Sequence, residues 1–173
     1  MWDSLIAVVG TLAGVALAST TQFLTDRRSR AAERHQRVVD TTDQLLGAIL
    51  QYRELFWLMV ADLREGRPEA REDRAARFRA RSEITRARDR LALITADPAL
   101  HAAAKEAAWS AIDLSDIPTG PPDADGRFGA DAEAALDAGR ERSREAHTSL
   151  RRAVTSHIHG TAAPAALQRG QTR

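Results

Sequence analysis

Residues with chemically reactive side chains are common in this sequence, but their spacing matches no catalytic or metal-binding pattern. The chain has five histidines and no cysteine, which excludes thiolate chemistry and cysteine-ligated metals. His157 and His159 are two positions apart, so they do not share a helical face, and no HExxH motif accompanies them. Neither a phosphate-binding glycine loop nor a G-x-S-x-G turn is present. The sequence therefore predicts no enzyme, no metal site, no cofactor and no small-molecule substrate.

The charge of the chain is nearly balanced, which bears on whether it binds nucleic acid. Its 25 basic and 24 acidic residues give a net charge of +1, too little for a strong field that attracts a polyanion. The arginine-rich segment 69–95 also carries acidic residues, and mixed charges are typical of a solvated helix face. We therefore expect no nucleic acid partner. A soluble or peripheral arginine-rich regulator that binds nucleic acid is the alternative function.

The uncharged stretch at residues 4–25 determines where the other elements lie. As a helix it would extend about 33 Å, enough to cross a hydrocarbon core of about 30 Å. Arginines follow this stretch and none precedes it, so we expect the amino terminus outside and the bulk of the chain in the cytoplasm. Heavy use of arginine and alanine is typical of a GC-rich bacterial genome, which makes this membrane the inner membrane.

Two other interpretations of this stretch stay open. Ala16-Leu17-Ala18 has the small-x-small pattern of a cleavage site, which would give a secreted helical protein released after Ala18. The strictly apolar part is also short enough to be a buried core helix of a water-soluble protein.

Contacts with the membrane and with a second copy follow from the transmembrane assignment. Gly10, Gly14 and Ala18 recur every four residues, so they would line one face on which two helices can pack closely. Small residues are also common in membrane helices that do not pair. A homodimer through this face and an unpaired membrane helix are therefore the two alternatives. A basic cluster behind the span is placed to contact anionic lipid headgroups; its members are Arg27, Arg28, Arg30, Arg34 and Arg37.

The chain after the span is patterned as packed helices. The first helix can continue to Glu65, because no proline occurs before Pro68. A heptad-like seam with spacings of four and three predicts its buried face: Val38, Thr42, Leu45, Ile49, Tyr52, Phe56, Met59 and Leu63. A second helix over 69–95 follows after a short turn, so the two form an antiparallel hairpin. Its predicted buried face is Ala76, Ala80, Ile84, Ala87, Leu91 and Ile94.

Two further helices complete the prediction. Asp97 followed by Pro98 is a specific helix start, so residues 26–114 hold the hairpin and a short third helix. Prolines and glycines over 115–129 indicate a linker, residues 130–158 form a last helix, and 159–173 a disordered tail. The fold class is all-α: an N-terminal transmembrane helix continuing into an antiparallel helical hairpin or small three- to four-helix bundle.

Three aromatic side chains are candidate contacts for a protein partner. Residues 55–60 are apolar on every side of the first helix, so Phe56 and Trp57 could face either the core or a partner. Phe78 lies almost opposite the apolar face of the second helix and could anchor a partner or pack on another element.

The order of these features resembles that of small actinobacterial membrane-anchored helical proteins with no assigned activity. The resemblance covers residues 1–114, and its most specific part is RARDRLALITADPALHAAAKEAA, from Arg86 to Ala108. It implies no active site. We therefore expect a single-pass, non-catalytic interaction or scaffolding protein of the bacterial inner membrane. Its expected partners are the lipid bilayer and either another protein or a second copy.

Overall fold

The computed structural model describes the backbone of residues 2–167 and the side chains of 22–160, except 24, 25 and 28. Every regular element in this range is helical: α1 (Trp2–Arg64), α2 (Arg71–Ile94), α3 (Pro98–Ile112), a 3₁₀ turn (Asp113–Asp116) and α4 (Ala130–Leu167). The all-α prediction is therefore confirmed. The chain divides into two compact units, Met1–Arg37 and Val38–Arg173.

The predicted membrane span lies at the amino-terminal end of α1. Among residues with described side chains, no helix is both long enough and apolar enough to cross a bilayer. The stretch 4–25 lies almost entirely outside those residues, although its backbone belongs to α1. The transmembrane assignment therefore stays a prediction.

The buried face of α1 in the second unit follows the predicted seam for most of its length. Six of the eight predicted positions, from Val38 to Phe56, are buried. At the carboxyl end Val60 is buried, whereas Met59 and Leu63 are only partly covered. The reason is geometric: a straight helix has 3.6 residues per turn, so a 3.5-residue pattern drifts around it.

The end of α1 is closed by a glycine-dependent turn. Gly66 has a φ of 71°, which glycine adopts without steric cost. The amide of Arg67 donates to the carbonyl of Asp62 at 2.8 Å, and that of Gly66 to Leu63 at 3.0 Å. These two bonds form a Schellman closure, which reverses the chain toward α2.

The helices α2 and α3 bury the faces that the sequence predicts. On α2 these are Ala80, Ile84, Ala87 and Leu91, while Ala76 and Ile94 are partly buried. On α3 the apolar face from Leu100 to Ile112 is buried, whereas Trp109 is 41% exposed. Both faces join α1 in one core cluster, so this part of the chain is a helical bundle.

Asp97 starts α3 as the sequence predicts. Its Oδ1 accepts from the amides of Ala99 at 2.9 Å and Leu100 at 3.2 Å. Its Oδ2 lies 2.7 Å from Nδ1 of His157 on α4. The hydrogen bonds with His157, Leu100 and Ala99 lower the pKa of Asp97, so this carboxylate joins the start of α3 to α4 while it is ionised.

Replacing Asp97 by alanine is expected to lower the free energy of unfolding by about 1–2 kcal/mol, the usual loss for a helix cap. Because its folded pKa is depressed, the contribution is present above its unfolded pKa and lost as pH falls through the folded one. Urea unfolding measures both effects. Asp43→Ala, an exposed change within α1, should stay within about 0.5 kcal/mol of wild type; an equal loss in the two variants would contradict the capping role.

Helix α3 packs closely against α4. Small side chains allow this approach: α3 buries Ala104, Ala107 and Ala111, and α4 buries Gly139 and Ser143. A Cβ on Gly139 would lie 2.8 Å from Cδ2 of Leu114, closer than two carbon atoms pack. This small-residue seam, defined by these alanines with Gly139, Ser143 and Ala146, holds α4 on the bundle.

The predicted linker is irregular, but it is packed rather than loose. Phe128 is only 4% exposed and joins a second core cluster with Phe56 and Leu136. Asp123 Oδ1 accepts from the amides of Asp125 at 2.9 Å and Arg127 at 2.8 Å, which folds the segment into a tight turn. The segment 117–129 therefore belongs to the same unit as α2, α3, α4 and the part of α1 after Arg37.

The last helix is longer than predicted. The sequence analysis ends it at 158, whereas α4 continues to Leu167. The segment after Gly160 is rich in alanine, the strongest helix former, and this propensity outweighs Gly160 and Pro164. The disordered tail predicted for 159–173 stays a prediction, and 168–173 lie outside the described residues.

Candidate functional site

Three buried polar atoms without a hydrogen-bond partner lie on α1 and α4. They are Nε of Arg53, Oγ of Ser143 and Nδ1 of His147. Ser143 is completely buried, whereas Arg53 and His147 are partly buried. Buried polar groups are normally hydrogen-bonded, so three such atoms on two neighbouring helices require an explanation.

Spacing places further cations of α4 beside these atoms. Arg140, Arg144, His147 and Arg151 are separated by four, three and four residues, which puts them on one face of the helix. The guanidinium of Arg140 lies over the ring of Trp57, with Cζ 4.1 Å from the ring centroid. Since Trp57 is one turn beyond Arg53 on α1, this face of α4 lies against the Arg53 face of α1.

We call this group the cationic seam: Arg53, Arg140, Ser143, Arg144, His147 and Arg151. Burial lowers the pKa of Arg53, and the nearby charges of Arg144 and Arg140 lower it further. Burial also lowers the pKa of His147, with additional repulsion from Arg53 and Arg151. Both effects favour the neutral imidazole of His147 over its charged form.

Several arginines elsewhere in the chain have acidic partners. Arg64 pairs with Glu133 at 2.5 Å and Arg77 with Glu69 at 2.9 Å. Among the ion pairs of described residues, none involves an arginine of the cationic seam. Chemically, such an arrangement can accept an anion through charge-assisted hydrogen bonds.

The lowered pKa of His147 makes stability depend on pH. In the unfolded chain this histidine takes up a proton near pH 6.5, whereas the folded chain resists protonation until lower pH. The unfolded state therefore binds more protons, and the free energy of unfolding falls as pH drops from about 7.5 to 5.5. His147→Gln should show a smaller fall by urea unfolding. The exposed change His159→Gln is the control; a pH dependence unchanged by His147→Gln would contradict the assignment.

The three predicted partner contacts have different surroundings. Phe56 is 1% exposed and lies in the second core cluster, so within the folded bundle it is not available to a partner. Trp57 is partly buried under Arg140. Phe78 is 54% exposed beside the guanidinium of Arg77. Of the two alternatives that the sequence leaves open for Phe56, the structure places its side chain in the core of the bundle; the partner contact stays a prediction.

An apolar groove lies between α2 and α3 near Trp109. Its volume is about 380 Å³, and its lining includes Leu91, Ala104 and Trp109 with the cations Arg88 and Lys105. The guanidinium of Arg88 lies 5.8 Å from the centroid of the Trp109 ring. Leu93, also on α2, is 87% exposed. This part of the bundle therefore presents apolar surface to solvent.

The predicted membrane-side residues lie in the first unit. Gly10, Gly14, Ala18 and Arg28 are outside the described side chains. Arg27, Arg30, Arg34 and Arg37 are exposed, and Arg37 lies 3.7 Å from Glu33. Phe23, 65% exposed, lines a surface cavity together with Arg27, Arg30, Arg34 and Asp26. The described part of the basic cluster is thus on the surface, next to an exposed aromatic ring.

No described group of three or more histidines and carboxylates is arranged to hold a metal ion. His157, one of the two histidines considered from the sequence, contacts Asp97. The cationic seam was missed at the sequence level, although the 4-3-4 spacing of Arg140, Arg144, His147 and Arg151 was visible. The position of Arg53 beside this face was not visible, because Arg53 is far away in sequence.

Together the fold and the site define a small helical-bundle protein with an unpaired cationic seam between its first and last helices. A family model described as KilB plasmid transfer protein matches residues 39–158. Because that match covers more than half of the chain, the chain belongs to the KilB plasmid transfer protein family. No curated protein and no solved structure gives a match. The resemblance to actinobacterial membrane-anchored proteins stays a prediction.

Proposed function

We propose that this protein acts in plasmid transfer as a non-catalytic helical interaction protein, held at the bacterial inner membrane by residues 4–25. The family match is the observation that supports the process, since it includes α2, α3 and nearly all of α4 up to residue 158. In this proposal the helical bundle is cytoplasmic and presents its surface to other components of the transfer machinery.

Surface residues of the first unit support a membrane location. Exposed Phe23 and the guanidinium groups of Arg27, Arg30 and Arg34 share one surface cavity. Aromatic rings favour the headgroup region of a bilayer, and each arginine near an anionic surface contributes up to about 1 kcal/mol of attraction. This combination lies at the carboxyl end of the uncharged stretch and directly after it, where a membrane interface is expected.

Exposed apolar side chains support an interaction role for the bundle. Leu58, Phe78 and Leu93 are each more than half exposed, and Trp109 borders the groove between α2 and α3. Large apolar side chains on a surface mark places where another protein binds. A protein partner and a second copy of this chain both fit this description.

Deleting the gene from a host strain is expected to lower the frequency of plasmid transfer to a recipient. Wild type should restore transfer, and a chain lacking residues 4–25 should not, because the bundle would no longer be held at the membrane. A chain with an unrelated membrane-spanning helix in place of 4–25 should restore it. Unchanged transfer after deletion would refute the role, and full activity of the truncated chain would refute the anchor.

Biochemical fractionation tests the anchor independently. The full chain should stay in membranes after alkaline carbonate washing, with a carboxyl-terminal tag accessible only from the cytoplasmic side. Recovery in the soluble fraction with salt-sensitive retention on DNA would favour the nucleic acid alternative. Release into the medium of a chain that begins near Ser19 would favour secretion.

A further inference from the structure

We propose that the cationic seam between α1 and α4 is a binding site for a single phosphate group. The proposal goes beyond the role in plasmid transfer and does not depend on it. It rests on three observations: buried polar atoms without partners, several arginines on facing helices, and no ion pair of those arginines with a described carboxylate.

A buried polar atom without a hydrogen-bond partner indicates a place where a ligand can bind. Arg53 is partly buried with an unpartnered Nε, and leaving a guanidinium nitrogen desolvated and unpaired is costly. The exposed arginines of α4 add repulsion, since Arg140 and Arg144 both lower the pKa of Arg53. An anion between the two helices would relieve the repulsion and accept hydrogen bonds.

The number of donors favours phosphate over carboxylate. One carboxylate is satisfied by one bidentate arginine, whereas the seam has Arg53 on α1 and both Arg140 and Arg144 on the face of α4 that contacts α1 at Trp57. A phosphate carries up to two negative charges and several acceptor oxygens, so it can bind more than one guanidinium at once. The imidazole of His147, whose pKa is affected by Arg53, is a further donor on the same side of α4.

The surroundings favour one phosphate group over a nucleic acid strand. Arg53 is the partly buried arginine of the seam, whereas Arg140, Arg144 and Arg151 are exposed. Glu141 and Glu145 are exposed on α4, each directly after an arginine of the seam, and would repel the next phosphates of a strand. Inorganic phosphate and the phosphate headgroup of a lipid share the required chemistry.

Thermal unfolding of the purified full chain in detergent tests the site. Sodium phosphate should raise the melting temperature in a saturable manner, and sodium chloride of equal ionic strength should not. Arg53→Gln should weaken the apparent phosphate affinity at least about tenfold, and Arg144→Gln should weaken it as well. Arg142→Gln, an exposed change on another face of α4, should leave the affinity unchanged.

An NMR titration of His147 gives a readout that a purely structural role of Arg53 would not change. Bound phosphate should raise the pKa of His147, because it neutralises the repulsion from Arg53 and Arg151, and Arg53→Gln should abolish this rise. Equal stabilisation by phosphate and chloride, or equal phosphate responses in Arg53→Gln and Arg142→Gln, would overturn the proposal.

A competition experiment distinguishes a free phosphate from the phosphate headgroup of a lipid. If vesicles containing phosphatidic acid, but not neutral vesicles, displace inorganic phosphate from wild type and not from Arg144→Gln, the site accepts a lipid headgroup. If vesicles do not compete, the ligand is a free phosphate. Binding of an oligonucleotide with no response to inorganic phosphate or phosphatidic acid would overturn the single-phosphate site in favour of nucleic acid.

Discussion

Phe56→Ala is expected to lower the free energy of unfolding by about 3–5 kcal/mol, the range found for buried aromatic side chains. Phe56 is 1% exposed and packs with Val60, Leu114, Phe128 and Leu136. These neighbours come from α1, the 3₁₀ turn, the segment 117–129 and α4. The cavity that the substitution leaves would therefore touch four parts of the chain. Urea unfolding monitored by circular dichroism measures the loss.

Phe78→Ala is the matched control, because it removes the same atoms from a side chain that is 54% exposed. Its cost should be well under half that of Phe56→Ala. The pair also separates folding from binding: Phe78 is the better candidate for a partner contact. A small effect of Phe56→Ala on unfolding, together with a large one on partner binding, would restore Phe56 as an interface residue.

Gly126→Ala is expected to destabilise the protein by about 2–4 kcal/mol through two separate effects. The φ of Gly126 is 75°, which costs an alanine about 1–2 kcal/mol. An alanine Cβ would also lie 2.6 Å from the backbone oxygen of Arg64. Because that atom belongs to the last turn of α1, the contact cannot be relieved by a side-chain rotation.

Two other glycines separate the effects. Gly66→Ala meets no atom within 4 Å but has a φ of 71°, so it should show only the conformational cost. Gly47→Ala, exposed within α1 with open space around it, should stabilise the protein by about 0.5–1 kcal/mol. Thermal unfolding of the three variants gives the ranking; an equal loss for Gly66→Ala and Gly126→Ala would show that the close approach to Arg64 does not matter.

Periodicity and capping were sufficient to predict most of the bundle from sequence. The faces of α1 and α2 follow from the recurrence of apolar residues, and the buried Ile49 and Leu91 lie where the pattern puts them. Asp97 and Pro98 locate the start of α3, since an acceptor side chain and a fixed φ are both specific local signals.

Features that depend on two distant segments could not be predicted. The prolines of 115–129 indicate irregular backbone, but not that Phe128 packs beside Phe56, because turn residues do not specify what a loop covers. The cationic seam needs Arg53 and Arg144 to face one another across α1 and α4. Nothing in the sequence indicates which flank of α4 lies next to α1.

The small-residue seam between α3 and α4 has a consequence for how this family can diverge. Almost every substitution of alanine or glycine adds volume, so Ala107, Gly139 and Ala146 have few permitted replacements. Large core residues such as Leu91 can be exchanged for others of similar volume. Among KilB family members, the positions that change least should therefore be those with the smallest side chains, and drift should concentrate at the bulky ones.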